Sequence, residues 1–103
     1  MSPAPYAGPP VAVDSSGPQH ILIFTAPTGG WAVQLDQTVR DLDRTRVYVT
    51  TRRPNPAFQQ TQALVDHRIA TTVPPETPIE VYIRSALHDQ EPAALSYQRL
   101  PGR

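Results

Sequence analysis

The chain has 103 residues, with nine arginines balanced by nine acidic residues and neither lysine nor cysteine. That length allows one small core, and the lack of thiols excludes disulfides and thiolate metal sites. The charge balance removes any general attraction for nucleic acid, and no apolar run approaches the roughly 18 residues of a membrane-spanning helix.

Residues 1–18 hold five of the 13 prolines and show no sustained periodicity. Proline removes amide donors and glycine raises the cost of ordering, so the sequence predicts a flexible Pro-rich arm over 1–18 and a single β domain over 19–103. The apolar run from His20 to Phe24 suits a buried strand that Pro27 stops. Thr28-Gly29-Gly30 forms a turn, after which Trp31, Val33 and Leu35 alternate with polar residues at the period of a strand. Leu35, Val39 and Leu42 also recur at helical spacing, but the β-branched pair Thr38-Val39 and the short length favour a strand, bulge or turn.

Asp41 to Thr45 is a polar connection, and Val47, Val49 and Thr51 then share one face, which predicts a hairpin. From Arg53 to Phe58 two prolines flank Asn55 and shape the loop. In the segment Thr61–Thr72, residues 61, 63, 65, 67, 69 and 71 share one face, with a mixed opposite face. Pro74, Pro75 and Pro78 break it, and Ile79, Val81 and Ile83 give the cleanest alternation in the chain. The remainder carries a short strand at Ala94–Gln98 or a helical turn near Ala86. The expected fold is all-β: a small antiparallel or mixed β sandwich, or a partly open barrel, with Trp31, Val33, Val47, Val49, Ile79, Val81 and Ile83 inward.

No constellation for catalysis, cofactor or metal emerges. Thr28-Gly29-Gly30 lacks the Gly-Lys-Ser/Thr that completes a phosphate loop, so its glycines serve a tight approach before Trp31, which reads as a core anchor. His20, His67 and His88 share no metal-ligand spacing. Asp66 and His67 are consecutive strand residues and face opposite ways, Asp41 and Asp43 sit in a turn where they bond backbone amides, and Ser85 near His88 is at best a local pair. The other serines, at 2, 15, 16 and 96, have no nucleophile-elbow context.

The segments TGGW at 28–31, RVYV at 46–49, RRPNPA at 52–57 and TQALVDHRIATTVP at 61–74 resemble, in that order, the PrcB C-terminal domain family over about half the chain. The resemblance implies a protease-complex-associated accessory domain, in an exported or cell-envelope setting. Trp31 stands where the family usually has Tyr. The reading that follows is a noncatalytic protein-interaction domain, an accessory or inhibitor of a protease complex, that uses no cofactor. Its expected contact patch is Arg52, Arg53, Asn55 and Phe58 with Pro54 and Pro56, where planar donors, apolar area and a pre-shaped loop coincide. Self-association as a homodimer through a sheet edge is also expected. The alternatives are an envelope-tethered structural module and an enzyme whose site the sequence does not display. A single-stranded nucleic-acid binder is disfavoured, because the tyrosines are not interleaved with basic residues.

Overall fold

The architecture is that of a computed structural model, which describes Tyr6, residues 8–57 and residues 62–100. The strands are β1 (Val11–Asp14), β2 (Ile21–Ala26), β3 (Ala32–Arg40), β4 (Thr45–Arg52), β5 (Val65–Ala70), β6 (Ile79–Ala86) and β7 (Gln98–Arg99), with a 3₁₀ turn at Pro92–Ala94. They form two open sheets, one of order β1-β2-β5 and one of order β3-β4-β6-β7. All pairings are antiparallel except β4 with β6, which run parallel in the register Thr45↔Ile79 to Arg52↔Ala86. The result is the mixed, all-β sandwich expected from the alternation, without closure into a barrel.

Period-two patterning puts Leu22, Phe24 and Ala26 of β2 on one face, and all three are buried. Val47 and Val49 of β4 and Val81 and Ile83 of β6 lie side by side in register and close the core from the other sheet. Val33 and Ile79 pack against that core from its margin, half-buried. Burying a branched aliphatic side chain contributes about 1.5–3 kcal/mol, so these few positions carry most of the domain's apolar stabilisation.

Three expectations are corrected. The arm expected over residues 1–18 is docked where it is described: Val11–Asp14 pairs with Ile21–Phe24, and Tyr6 is 7% exposed within the core cluster. The Tyr6 amide donates to Arg99 O at 2.8 Å and its hydroxyl to Pro9 O at 2.7 Å, which answers the polar groups that burial would otherwise strand. Tyr6 and Val11–Asp14 are therefore packed and paired with the elements that follow them. Trp31 is half-buried at one end of the sandwich, its ring 5.6 Å from that of Phe24, instead of lying inside the core. The strand expected at Ala94–Gln98 is replaced by the 3₁₀ turn followed by the two-residue β7.

The helical spacing of Leu35, Val39 and Leu42 is resolved as a bulged strand. Register shifts between Leu35 and Gln37, so Leu35 packs inward while Val39 faces out. At the end of β5 the chain turns through Thr72, whose φ of 63° is uncommon for a β-branched residue. That strain, about 1–2 kcal/mol, is offset by bonds made at and after the turn: Thr72 N donates to Gln19 Oε1 at 2.9 Å, Val73 N to Thr71 Oγ1 at 3.2 Å, and His20 N to Val73 O at 2.9 Å.

Candidate functional site

Because β4 and β6 are parallel and Arg52 lies opposite Ala86, the two strands leave the sheet at the same end, and β3 begins beside them at Ala32, opposite Arg52. Three loops therefore meet there. A groove of about 420 Å³ opens between Pro27, Thr28 and Trp31 of the first, Arg53, Pro54 and Pro56 of the second, and Leu87 and His88 of the third. Gly30, at φ 83°, makes the turn that presents Trp31, a conformation that a side chain would strain. The indole N–H donates to Thr28 Oγ1 at 3.2 Å and fixes the ring against Phe24. Leu87 is 51% exposed on the opposite wall.

The groove is apolar with a cationic rim. The Arg53 guanidinium lies 5.6 Å from the centre of the Trp31 ring, and its backbone amide donates to Ala86 O at 2.9 Å. None of the ion pairs among the described residues involves Arg53, whose charge faces solvent beside an aromatic wall. An exposed guanidinium over a Trp at the edge of an apolar trough can take a carboxylate bidentately while the trough takes the neighbouring apolar side chain.

Of the residues expected as a contact patch, the structure separates neighbours. Arg53 lines the groove. Arg52 turns to the outer face of the β3-β4-β6-β7 sheet and donates one nitrogen to the carbonyls of Leu87, His88 and Gln90 at 3.0, 3.1 and 3.1 Å, so it clamps the third loop. Asn55 Oδ1 accepts from Ala57 N at 2.9 Å and shapes the second loop as an Asx turn. Pro54 and Pro56 are walls of the groove. Phe58 lies outside the described residues. Trp31 and Leu87, which complete the site, were not part of the expected patch.

No family model, no curated protein and no solved structure matches this chain. The reading of the site thus rests on its own geometry.

Two other polar clusters are structural in form. On the outer face of the β3-β4-β6-β7 sheet the bulge residue Asp36 accepts from Thr50 Oγ1 and from the Tyr97 hydroxyl at 2.7 Å, and pairs with Arg84 at 3.6 Å. Arg84 also donates to Thr50 Oγ1 and Pro92 O and lies 4.8 Å from the Tyr97 ring centre, which in turn meets Tyr48 edge-on. Burial, together with the hydrogen bond to Asp36, holds the Tyr97 phenol above its ordinary range. A cavity of about 200 Å³ sits over this network, and its charged lining is already engaged: Asp36 and Arg84 pair with each other, Arg52 donates to loop carbonyls and Glu91 accepts from Ala93 N.

The second cluster is a serine and histidine contact that sequence spacing did not reveal. Ser15 Oγ lies 2.7 Å from His20 Nδ1, while His20 Nε2 lies 2.7 Å from Thr77 O. A carbonyl only accepts, so Nε2 carries a proton, and in the neutral ring Nδ1 then accepts from the serine. That is the tautomer of a general base, yet His20 is 6% exposed and the pair lines none of the described cavities. It ties the β1–β2 turn to the loop before β6. Asp66 and His67 face opposite sides as expected: Asp66 accepts from Thr25 Oγ1 at 2.8 Å, and His67 packs 6.1 Å from the Phe24 ring centre.

Proposed function

We propose that this chain is a noncatalytic protein-interaction domain that seats an extended segment of a partner protein in the Trp31 groove, taking an apolar side chain followed by a carboxylate. The observation that carries this reading is the pairing of an apolar trough, walled by Trp31, Pro54, Pro56 and Leu87, with the guanidinium of Arg53 at its rim, which no carboxylate among the described residues engages. Prolines on two walls limit the ordering cost of closing on a ligand, and a lone Trp beside an Arg is the composition of an interface hot spot. The principal acid clusters hold structural partners: Asp36 its outer-face network, Asp41 the Leu42 amide and Arg46, and Glu80 both Arg44 and Arg99. The resemblance to the PrcB C-terminal domain family makes a protease complex the first partner to try, as its accessory or inhibitor in an exported or envelope setting.

Trp31 is the chain's single tryptophan, so its emission reports occupancy of the groove directly. Blocked tetrapeptides ending in Leu-Glu are titrated into the full chain beside otherwise identical peptides ending in Leu-Gln. Saturable change with the acidic peptide, weakened about tenfold by Glu→Gln in the peptide or by Arg53→Ala in the protein, supports the reading. No saturable change with either peptide, or equal response to both, overturns it.

A further inference from the structure

The two sheets present four edges, and they are not equivalent. β1 is four residues long and follows Pro9-Pro10, β7 is two residues long with Tyr6 already donating to Arg99 O, and β3 is interrupted by the bulge between Leu35 and Gln37. Short, proline-flanked and bulged edges are poor templates for another strand. β5, six residues long and with no register shift against β2, is the regular one.

Its free hydrogen-bonding groups can be identified. In an antiparallel ladder successive residues turn their backbone groups to alternate sides. The Thr25 amide donates to Pro10 O on the β1 side, so Phe24 turns to β5 and bonds with His67 opposite it. Asp66 and Arg68 therefore point their amides and carbonyls at the edge that no strand among the described residues pairs. A second copy can satisfy them by antiparallel pairing only in registers that match outward residues to outward residues. Centring the pairing on Arg68 sets arginine against arginine, and centring it on Asp66 sets aspartate against aspartate. Centring it on His67 sets Asp66 against Arg68 of the other copy twice, with Val65 against Ile69 on the inner face. Continued by two residues, the same register brings Leu64, which is 74% exposed, opposite Ala70.

We infer that two copies of this chain pair through β5 in an antiparallel, twofold arrangement centred on His67. Charges placed only to ward off other strands would serve best with a single sign, since like charges directly opposite repel. Opposite signs two residues apart are instead self-complementary, and the twofold operation uses each pair twice and closes the interface. This surface lies on β5 and is independent of the Trp31 groove.

The chain contains no cysteine, so a single introduced thiol reads out the dyad. Residues facing each other across a non-hydrogen-bonded antiparallel pair have Cα atoms about 4.5 Å apart, within the roughly 4.4–6.8 Å span of a disulfide. Full-length His67→Cys protein is oxidised mildly beside Arg68→Cys protein, and sedimentation equilibrium is run on the unmodified chain, Asp66→Arg, Arg68→Asp and the double exchange, each checked for its β circular dichroism. The inference expects a concentration-dependent dimer, about tenfold weaker dimerisation in each single charge variant, recovery in the double exchange, and covalent dimer from His67→Cys alone. A monomer at all concentrations overturns it. So does a dimer indifferent to the charge variants, or one that crosslinks through position 68 and not 67.

Discussion

Arg52 and Arg53 are consecutive and serve opposite ends: Arg52 donates to three carbonyls of the loop after β6, while the Arg53 guanidinium lies 5.6 Å from the Trp31 ring centre with no carboxylate partner among the described residues. The division follows from strand alternation at the end of β4, which sends one side chain to the outer sheet face and the other toward the groove. Loss of the first removes charged donors from loop carbonyls, and loss of the second removes a solvated cation.

Arg52→Ala is accordingly expected to cost about 2 kcal/mol of stability, and Arg53→Ala to stay within about 0.5 kcal/mol, both read from urea midpoints. Equal costs would mean that the clamp does not hold the loop.

Trp31→Ala is expected to cost about 1–3 kcal/mol, below the 3–5 kcal/mol of a fully buried aromatic truncation, because the ring is half-buried and shares one face with Phe24. The same variant loses peptide binding entirely, since one wall of the groove is gone. A cost above about 4 kcal/mol would place the ring in the core and remove it from the site.

The fold was legible where one strand face is buried and the other solvated. Val47-Val49 and Ile79-Val81-Ile83 alternate cleanly because they face one core across one sheet. The strand Val11–Asp14 was not legible, since its only support is pairing to Ile21–Phe24 and its neighbours Pro9 and Pro10 read as linker. Nor was the bulge at Asp36, whose donors, Thr50, Arg84 and Tyr97, come together only in the folded sheet. For the site, Arg53, Pro54 and Pro56 were readable as a shaped loop. Trp31 and Leu87 were not, because the pairing of Ala32 with Arg52 brings the first of their loops beside it and the parallel register of β4 and β6 brings the other.

Asp36→Asn should loosen the outer-face network on two readouts. Arg84 loses the carboxylate it pairs with at 3.6 Å, in a spot where the two side chains are 19% and 14% exposed, for an expected cost of about 2–3 kcal/mol. The Tyr97 phenol, held up by burial first and by Asp36 second, should titrate closer to its ordinary value once that charge is removed. Phenolate absorbance, taken as the difference from a Tyr97→Phe protein, follows it. An unchanged Tyr97 titration would show that burial acts alone.

Tyr6 ties the N-terminal segment to high-pH stability. Burial pushes its phenol from 10.0 up to about 12, against a smaller opposing effect of the Arg53 charge. Burial disfavours the phenolate, so the folded state retains the proton after the unfolded chain has begun to release it. Below pH 10 both states are protonated and the contribution of Tyr6 is whole. Between pH 10 and about 12 the unfolded state ionises first, and that contribution is lost as the pH rises through the folded value. Tyr6→Phe removes the titration together with the hydroxyl bond to Pro9 O, so it should be less stable at pH 8 yet lose less stability across the alkaline window. Denaturant midpoints of both proteins at intervals from pH 8 to about 12 test this. Parallel curves for the two proteins would show that Tyr6 ionises as freely in the fold as in the unfolded chain, and that the docked segment opens before the domain does.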